Sequence, residues 1–230
     1  VVRIGAELSG LVVSLESKIA VVALLGEENA AASAATAAIG EPASVQLLAD
    51  EPSLPLVGGG VFSPLGAPLP PHEAPQAGTA EVLPLLGTPL PAISARARST
   101  QPLLTGLKVV DTFFPLAHGQ KLGMVGDRGT GKRQALLDLL RNQRQLAGLG
   151  GGCVPVERVV YVSVGQSPDS VEKLAEDLGS EASLVVAAPT DTWGMHYLAP
   201  FAGLALANAH RARGEHVMLV IDDSGSWTGA

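Results

Sequence analysis

The apolar and polar positions change their texture near residue 100. From Leu11 to Leu25 two apolar, β-branched runs flank the polar pair Glu16 and Ser17, which predicts a hairpin or meander, with too few strands to close a sheet. Residues 30–38, AAASAATAA, carry no charge and no clear period, so a surface loop or weak helix without assigned function is expected. From Pro52 to about Arg98 Pro and Gly become dense, above all in LGAPLPPHEAP, and an extended linker or long loop is expected there. Beyond residue 100 short β-branched runs alternate with helix-length amphipathic stretches. The runs are KLGMVG ending at Gly126, RVVYVSV ending at Val164, SLVVAA ending at Ala188 and HVMLVID ending at Asp222. Between them, apolar spacing predicts helices over 132–146, 168–178 and 195–213, as in Leu136, Leu139 and Leu140 or Leu198, Phe201 and Leu204. Strands this apolar, joined by crossovers long enough to hold a helix, predict an α/β fold with a parallel sheet covered on both faces.

Composition narrows the picture. With 47% apolar residues but only 3% aromatic, the core must be built from Val, Leu, Ile and Ala. A net charge of -7 argues against a sequence-independent nucleic-acid binder, so no nucleic acid is expected as partner. The single cysteine, Cys153, cannot form an internal disulfide. No apolar run reaches the roughly 18 residues that span a bilayer, so no membrane span is expected.

The chemistry begins at Gly126, where G-D-R-G-T-G-K matches G-x-x-x-x-G-K between an expected strand and an expected helix. Gly126, Gly129 and Gly131 permit a tight path through Asp127, Arg128 and Thr130, so that successive N–H groups converge on a phosphate while Lys132 adds a point charge. The bland alternative is a Gly-rich turn before a helix. A second motif, VMLVIDD, ends an apolar strand about ninety residues later, and Asp222 there is a candidate to hold magnesium through water. Alone, a pair of acids at a strand end reads as a solvated turn; the phosphate loop changes that. Arg133, however, stands where the motif requires Ser or Thr to ligate magnesium at about 2.1 Å. A guanidinium cannot ligate a cation, so magnesium is disfavoured while ATP or ADP remains an expected ligand. Two placements are open for Arg133: direct pairing with phosphate oxygens, or solvent exposure from the first turn of the helix.

These residues resemble the alpha subunit of F-type ATP synthase. Thr105 to Lys132 is similar to that family's T-G-I-K-x-x-D run leading into its phosphate loop. The likeness continues through YVSVGQ (161–166), YLAPFAG (197–203) and the Val220 to Asp223 strand end, and more weakly through Gly10 to Glu28, which resembles the later strands of a small N-terminal barrel. The resemblance implies a P-loop NTPase sheet flanked by helices and preceded by a partial N-terminal β-barrel, with a barrel-like unit over 1–55, a linker over 56–98 and a nucleotide-binding domain over 99–230, shortened at its C-terminal end. It implies nucleotide contacts from Gly126, Asp127, Arg128, Gly129, Thr130, Gly131, Lys132, Arg133 and Gln166. Gln166 stands where catalytic beta subunits carry a water-activating Glu, and an amide cannot act as a general base. No catalytic residue is therefore expected, and the chain is not expected to be an enzyme by itself. Gly129 and Arg133 depart from the family's Gln and Thr. The family's trans-acting arginine and helical C-terminal domain would lie beyond residue 230.

The leading expectation is a non-catalytic, alpha-like subunit that takes part in proton-driven ATP synthesis, holding nucleotide at most, beside beta-like and other subunits of the complex. The alternative is a degenerate paralogue serving as a structural or assembly subunit of another complex. An independent ATPase would need a general base, a magnesium hydroxyl and a trans arginine, none of which the sequence supplies. The resemblance, with the Ala, Gly and Pro richness, points to a mitochondrial inner-membrane complex on its matrix side. His118, His196, His210 and His216 are not at metal-ligand spacing, and His72 falls in the linker. Trp193 and Trp227 are expected to pack rather than to carry adenine.

Overall fold

A computed structural model describes residues 1–4, 8–15, 19–26, 45–47, 53–55, 59–70, 82–86, 94, 98–127, 129–147, 154, 156–179 and 182–223. Residues 30–38, most of the Pro-dense stretch with His72, and Arg128, Cys153 and Trp227 lie outside them.

Twelve strands and four helices follow one another along the described residues. The N-terminal part is an antiparallel sheet of β1 (Val2–Ile4), β2 (Leu8–Leu15), β3 (Ala20–Leu24) and β4 (Val45–Leu47), in the order β3-β2-β1-β4. The expected hairpin is β2 with β3, kinked by a register shift between Val12 and Ser14. Two small antiparallel pairs join β5 (Ser53–Pro55) to β7 (Val82–Pro84) and β8 (Pro102–Leu103) to β9 (Leu116–Ala117).

The main sheet is parallel, built of β6 (Gly60–Phe62), β10 (Arg158–Val164), β11 (Ser183–Ala187) and β12 (Val217–Asp223) in the order β12-β10-β11-β6. Alternate residues face opposite layers, as the two-residue period of a strand requires. Val160, Val162, Val164, Val185 and Ala187 meet the helix α4 (Trp193–Ala212) through Ala199, Ala202 and Leu206. On the other face Tyr161, Leu184, Val186 and Val220 meet α2 (Lys132–Ala147) and α3 (Pro168–Leu178) through Leu137, Leu140, Val171 and Leu174. The result is an α/β/α sandwich, with the aliphatic core expected from the composition.

The expected helix over 168–178 is observed as α3. Ser167 is extended, Pro168 presets the first turn, and Gly179 ends the helix with φ 71°. The helix expected from 195 instead begins at Trp193, following the extended N-cap residue Thr192.

Two expectations are corrected. Residues 121–127 form no strand, because a strand requires a ladder and they pair with none among the described residues. Leu122 and Met124 line a cleft of about 510 Å³ together with Leu219 and Ile221 of β12. Val125 is fully exposed at 100%. Conversely, the stretch expected to be linker contributes to the core. Val61 and Phe62 bury one face each of β6, which pairs with β11, and Leu83 and Leu85 pack beside α4's layer. Three-residue strands between prolines are too short to show a period.

Thr105 and Gly106 form a turn held by Asp111 in the helix α1 (Lys108–Phe113). One Asp111 oxygen accepts Thr105 N–H at 2.8 Å and Thr105 Oγ1 at 2.7 Å, and the other accepts Gly106 N–H at 2.9 Å. Gly106 has φ 73° and packs against Asn142 of α2, whose side chain donates to Thr105 O at 3.1 Å. The T-G-L-K-V-V-D motif thus fastens α1 to α2.

Candidate functional site

The carboxyl ends of β10 and β12 lie side by side, because the chain leaves β10 through α3 to β11 and returns through α4 past β10 to β12. Such a reversal opens a crevice at the strand ends, where α/β sheets bind ligands. Gln166 follows β10 and Asp222 lies in the last turn-ward residues of β12, with Ser163 paired to Asp222 in the ladder.

The loop before α2 is exposed at Gly126, Asp127, Gly129, Thr130 and Gly131. Gly129 and Gly131 both have φ 84°, a left-handed conformation that side chains with a Cβ rarely adopt. Asp127 O gathers the turn, accepting from Thr130 Oγ1 at 2.8 Å and Lys132 Nζ at 2.7 Å. Lys132 also donates to Gly126 O, so its ammonium caps the carbonyls of its own loop. Gly126 to Lys132 therefore form a closed turn at the start of a sixteen-residue helix, with Arg128 outside the described residues.

Arg133 does not simply point to solvent from the first turn of α2. Its guanidinium turns inward, donating from Nη2 to Ser170 O at 2.9 Å and from Nη1 to Gln166 Oε1 at 3.3 Å. Its Nε lies 3.9 Å from Asp222 Oδ2. That same Asp222 oxygen accepts the Tyr161 hydroxyl at 2.7 Å. Burial, reinforced by the Asp222 carboxylate, pushes the Tyr161 hydroxyl well above the ordinary phenol range, so it remains a donor. One cation thus links α2, β10's end, α3 and β12.

Tyr161 and Ser170 escaped the sequence reading as members of this cluster. Tyr161 had a signal: in the parallel register it pairs with Val220, which puts Asp222 diagonally next on the same face. Ser170 contributes only a backbone carbonyl and has no signal in its side chain.

Arg133 alters the surroundings in which magnesium would be held. The hydroxyl ligand is missing, and the Asp222 oxygen that would face the ion is held between Tyr161 and Arg133. Among the described residues no group of three His, Cys, Asp or Glu side chains could hold a metal. His118 and His216 do meet, edge to face with ring centroids 4.8 Å apart, while His196 and His210 bond Ala188 O and Glu215 respectively. Trp193 lies on α4, across the sheet from α2, and stacks on Tyr197 at 5.3 Å.

A phosphate-loop turn before α2 and an acid at the adjoining strand end define a P-loop-type nucleotide-binding fold. Residues 106–230 match the ATP synthase alpha/beta family, nucleotide-binding domain, and the chain belongs to that family. It is similar to ATP synthase subunit alpha 2 of Gluconobacter oxydans (strain 621H), 35% identical over 170 residues that make up 72% of this chain and 31% of that protein. ATP synthase subunit alpha of Mycolicibacterium smegmatis is 36% identical over 170 residues, 72% of this chain and 30% of the relative. ATP synthase subunit alpha 2 of Burkholderia thailandensis is 35% identical over 72% of this chain and 28% of its own length. The chain thus spans about a third or less of the length of these curated relatives. All three are bacterial, which gives the mitochondrial expectation no support. No helix among the described residues is long and apolar enough to cross a membrane.

Proposed function

We propose that the chain is a non-catalytic, alpha-like unit of a rotary ATP synthase, which holds a nucleotide through Gly126 to Lys132 without turning it over. The observation that carries this reading is the pairing of Gln166 with Arg133 at the end of β10. The Gln166 amide cannot take a proton from an attacking water, and its oxygen is already engaged by a guanidinium. Asp222, the acid beside it, is hydrogen-bonded by Tyr161 and faces the same cation. Nucleotide contacts are assigned to the loop residues, including Arg128, and to Arg133 and Gln166.

On this reading β1 to β4 are the remains of a small N-terminal barrel, and residues 99–230 are the nucleotide-binding domain. The partners are beta-type and other subunits of the peripheral part of the synthase, at a bioenergetic membrane, where the unit takes part in proton-driven ATP synthesis. Phosphate release from ATP by the purified chain should stay at background, and the chain should copurify with beta-type subunits in equal amounts. Steady turnover that disappears in Lys132→Ala would overturn the non-catalytic assignment; turnover that survives that change comes from a contaminant.

A further inference from the structure

We infer that Arg133 is the resident cation of this site, so that the ligand it takes is a nucleoside polyphosphate free of magnesium. The inference rests on the nucleotide-holding reading and names the ionic form of the ligand. Three observations support it. Arg133 directly follows Lys132 in the first turn of α2, at the helix N-terminus that the Gly-rich loop leads into. Its 3.9 Å approach to Asp222 places a positive charge beside the acid that would otherwise attract a divalent ion. It remains reachable, since its side chain is 32% exposed while Asp222 is 16% exposed.

An arginine carries five N–H donors in a planar fork. Here two of them make the hydrogen bonds to Gln166 Oε1 and Ser170 O. These bonds come from separate nitrogens, Nη1 and Nη2, and orient the fork, leaving further N–H bonds for a phosphate oxygen. Lys132 would exchange its two loop carbonyls for phosphate, as both are exposed, neutral acceptors. The bound polyphosphate would then face two fixed cations. Magnesium already on the polyphosphate removes negative charge that these cations need and brings its own positive charge close to Arg133. Metal-free ATP is therefore the better complement, the reverse of a loop whose helix begins with Lys-Thr.

Equilibrium binding of ATP to the purified chain, in EDTA and in saturating magnesium, tests this, with Arg133→Thr and Arg133→Gln measured alongside. The expected result is at least tenfold tighter binding to the unaltered chain in EDTA. Arg133→Thr should reverse the preference, and Arg133→Gln should weaken binding in EDTA without gaining magnesium dependence. Circular dichroism checks that each variant is folded, and the unaltered chain alone suffices should one fail. Tighter binding of the unaltered chain with magnesium would overturn the inference. So would its failure to bind in either buffer while Arg133→Thr binds with magnesium, which would make Arg133 a plug and leave the non-catalytic assignment standing. If neither the chain nor any folded variant binds ATP, the nucleotide-holding reading fails together with the inference.

Discussion

His210 is only 3% exposed, and its Nδ1 lies 2.5 Å from Glu215 Oε2, while Arg158 Nε lies 3.3 Å from the other Glu215 oxygen. Burial raises the Glu215 pKa, but the hydrogen bonds from His210 and Arg158 outweigh it and hold the carboxyl below its ordinary 4.5. A depressed folded-state pKa contributes stability above the unfolded value and loses it as pH falls through the folded one. Glu215→Gln should therefore lower the melting temperature at neutral pH, and its gap from the unaltered chain should close as pH falls below about 4.5. Melting curves from neutral pH to about pH 3 would show this; a gap that persists unchanged in acid would mean that packing, not charge, is at work. Arg133 illustrates what was not legible at this scale. Its type and its place after Lys132 were plain, but its partners Gln166 and Ser170 lie 33 and 37 residues further on, so only the packing of α2 on α3 could reveal where it points.

Among the elements, α4 approaches β10 at Gly203, where an added Cβ would overlap the Val162 side chain and lie 3.2 Å from Leu219 Cδ1. On an exposed helix face Gly→Ala gains about 1 kcal/mol. Here overpacking costs about 1–3 kcal/mol and reverses the sign. Gly203→Ala should destabilise the chain by about 1 kcal/mol in urea unfolding, and the cost should be smaller in a Val162→Ala background, where the overlap is relieved. Equal costs in both backgrounds would exclude Val162 as the source. The same layer shows why some elements were readable. β10, β11 and β12 are unbroken apolar runs, and their bounds agree closely with the expected ones. Residues 121–126 also carry apolar positions, Leu122, Met124 and Val125, yet without a ladder partner among the described residues they produce no strand, and Val125 stays in solvent. β6 is the converse: Val61 and Phe62 are too few to be periodic, but the open edge of β11 pairs with them.

At the scale of the molecule the question is whether the N-terminal antiparallel sheet and the α/β sandwich unfold together. Among the described residues they meet where α4 begins. Thr192, 7% exposed, donates its hydroxyl to Leu24 O at 2.6 Å and its N–H to Gly26 O at 2.9 Å. One residue into α4, Gly194 lies so close to the Leu24 carbonyl that an added Cβ would overlap it. Two buried hydrogen bonds and one close approach are worth about 1–3 kcal/mol, less than the aliphatic core of either layer of the sandwich. The two sheets should therefore be separable, with the junction as the weak seam. Gly194→Val would force Leu24 away and break both Thr192 bonds. Hydrogen exchange at β2 and β3 amides should then speed by about ten- to a hundredfold, while amides of β10 to β12 change by less than about threefold, since each 1.4 kcal/mol of local stability corresponds to a factor of ten. Equal acceleration in both sheets would mean that the chain is one cooperative unit, whose N-terminal strands draw their stability from the sandwich beneath α4.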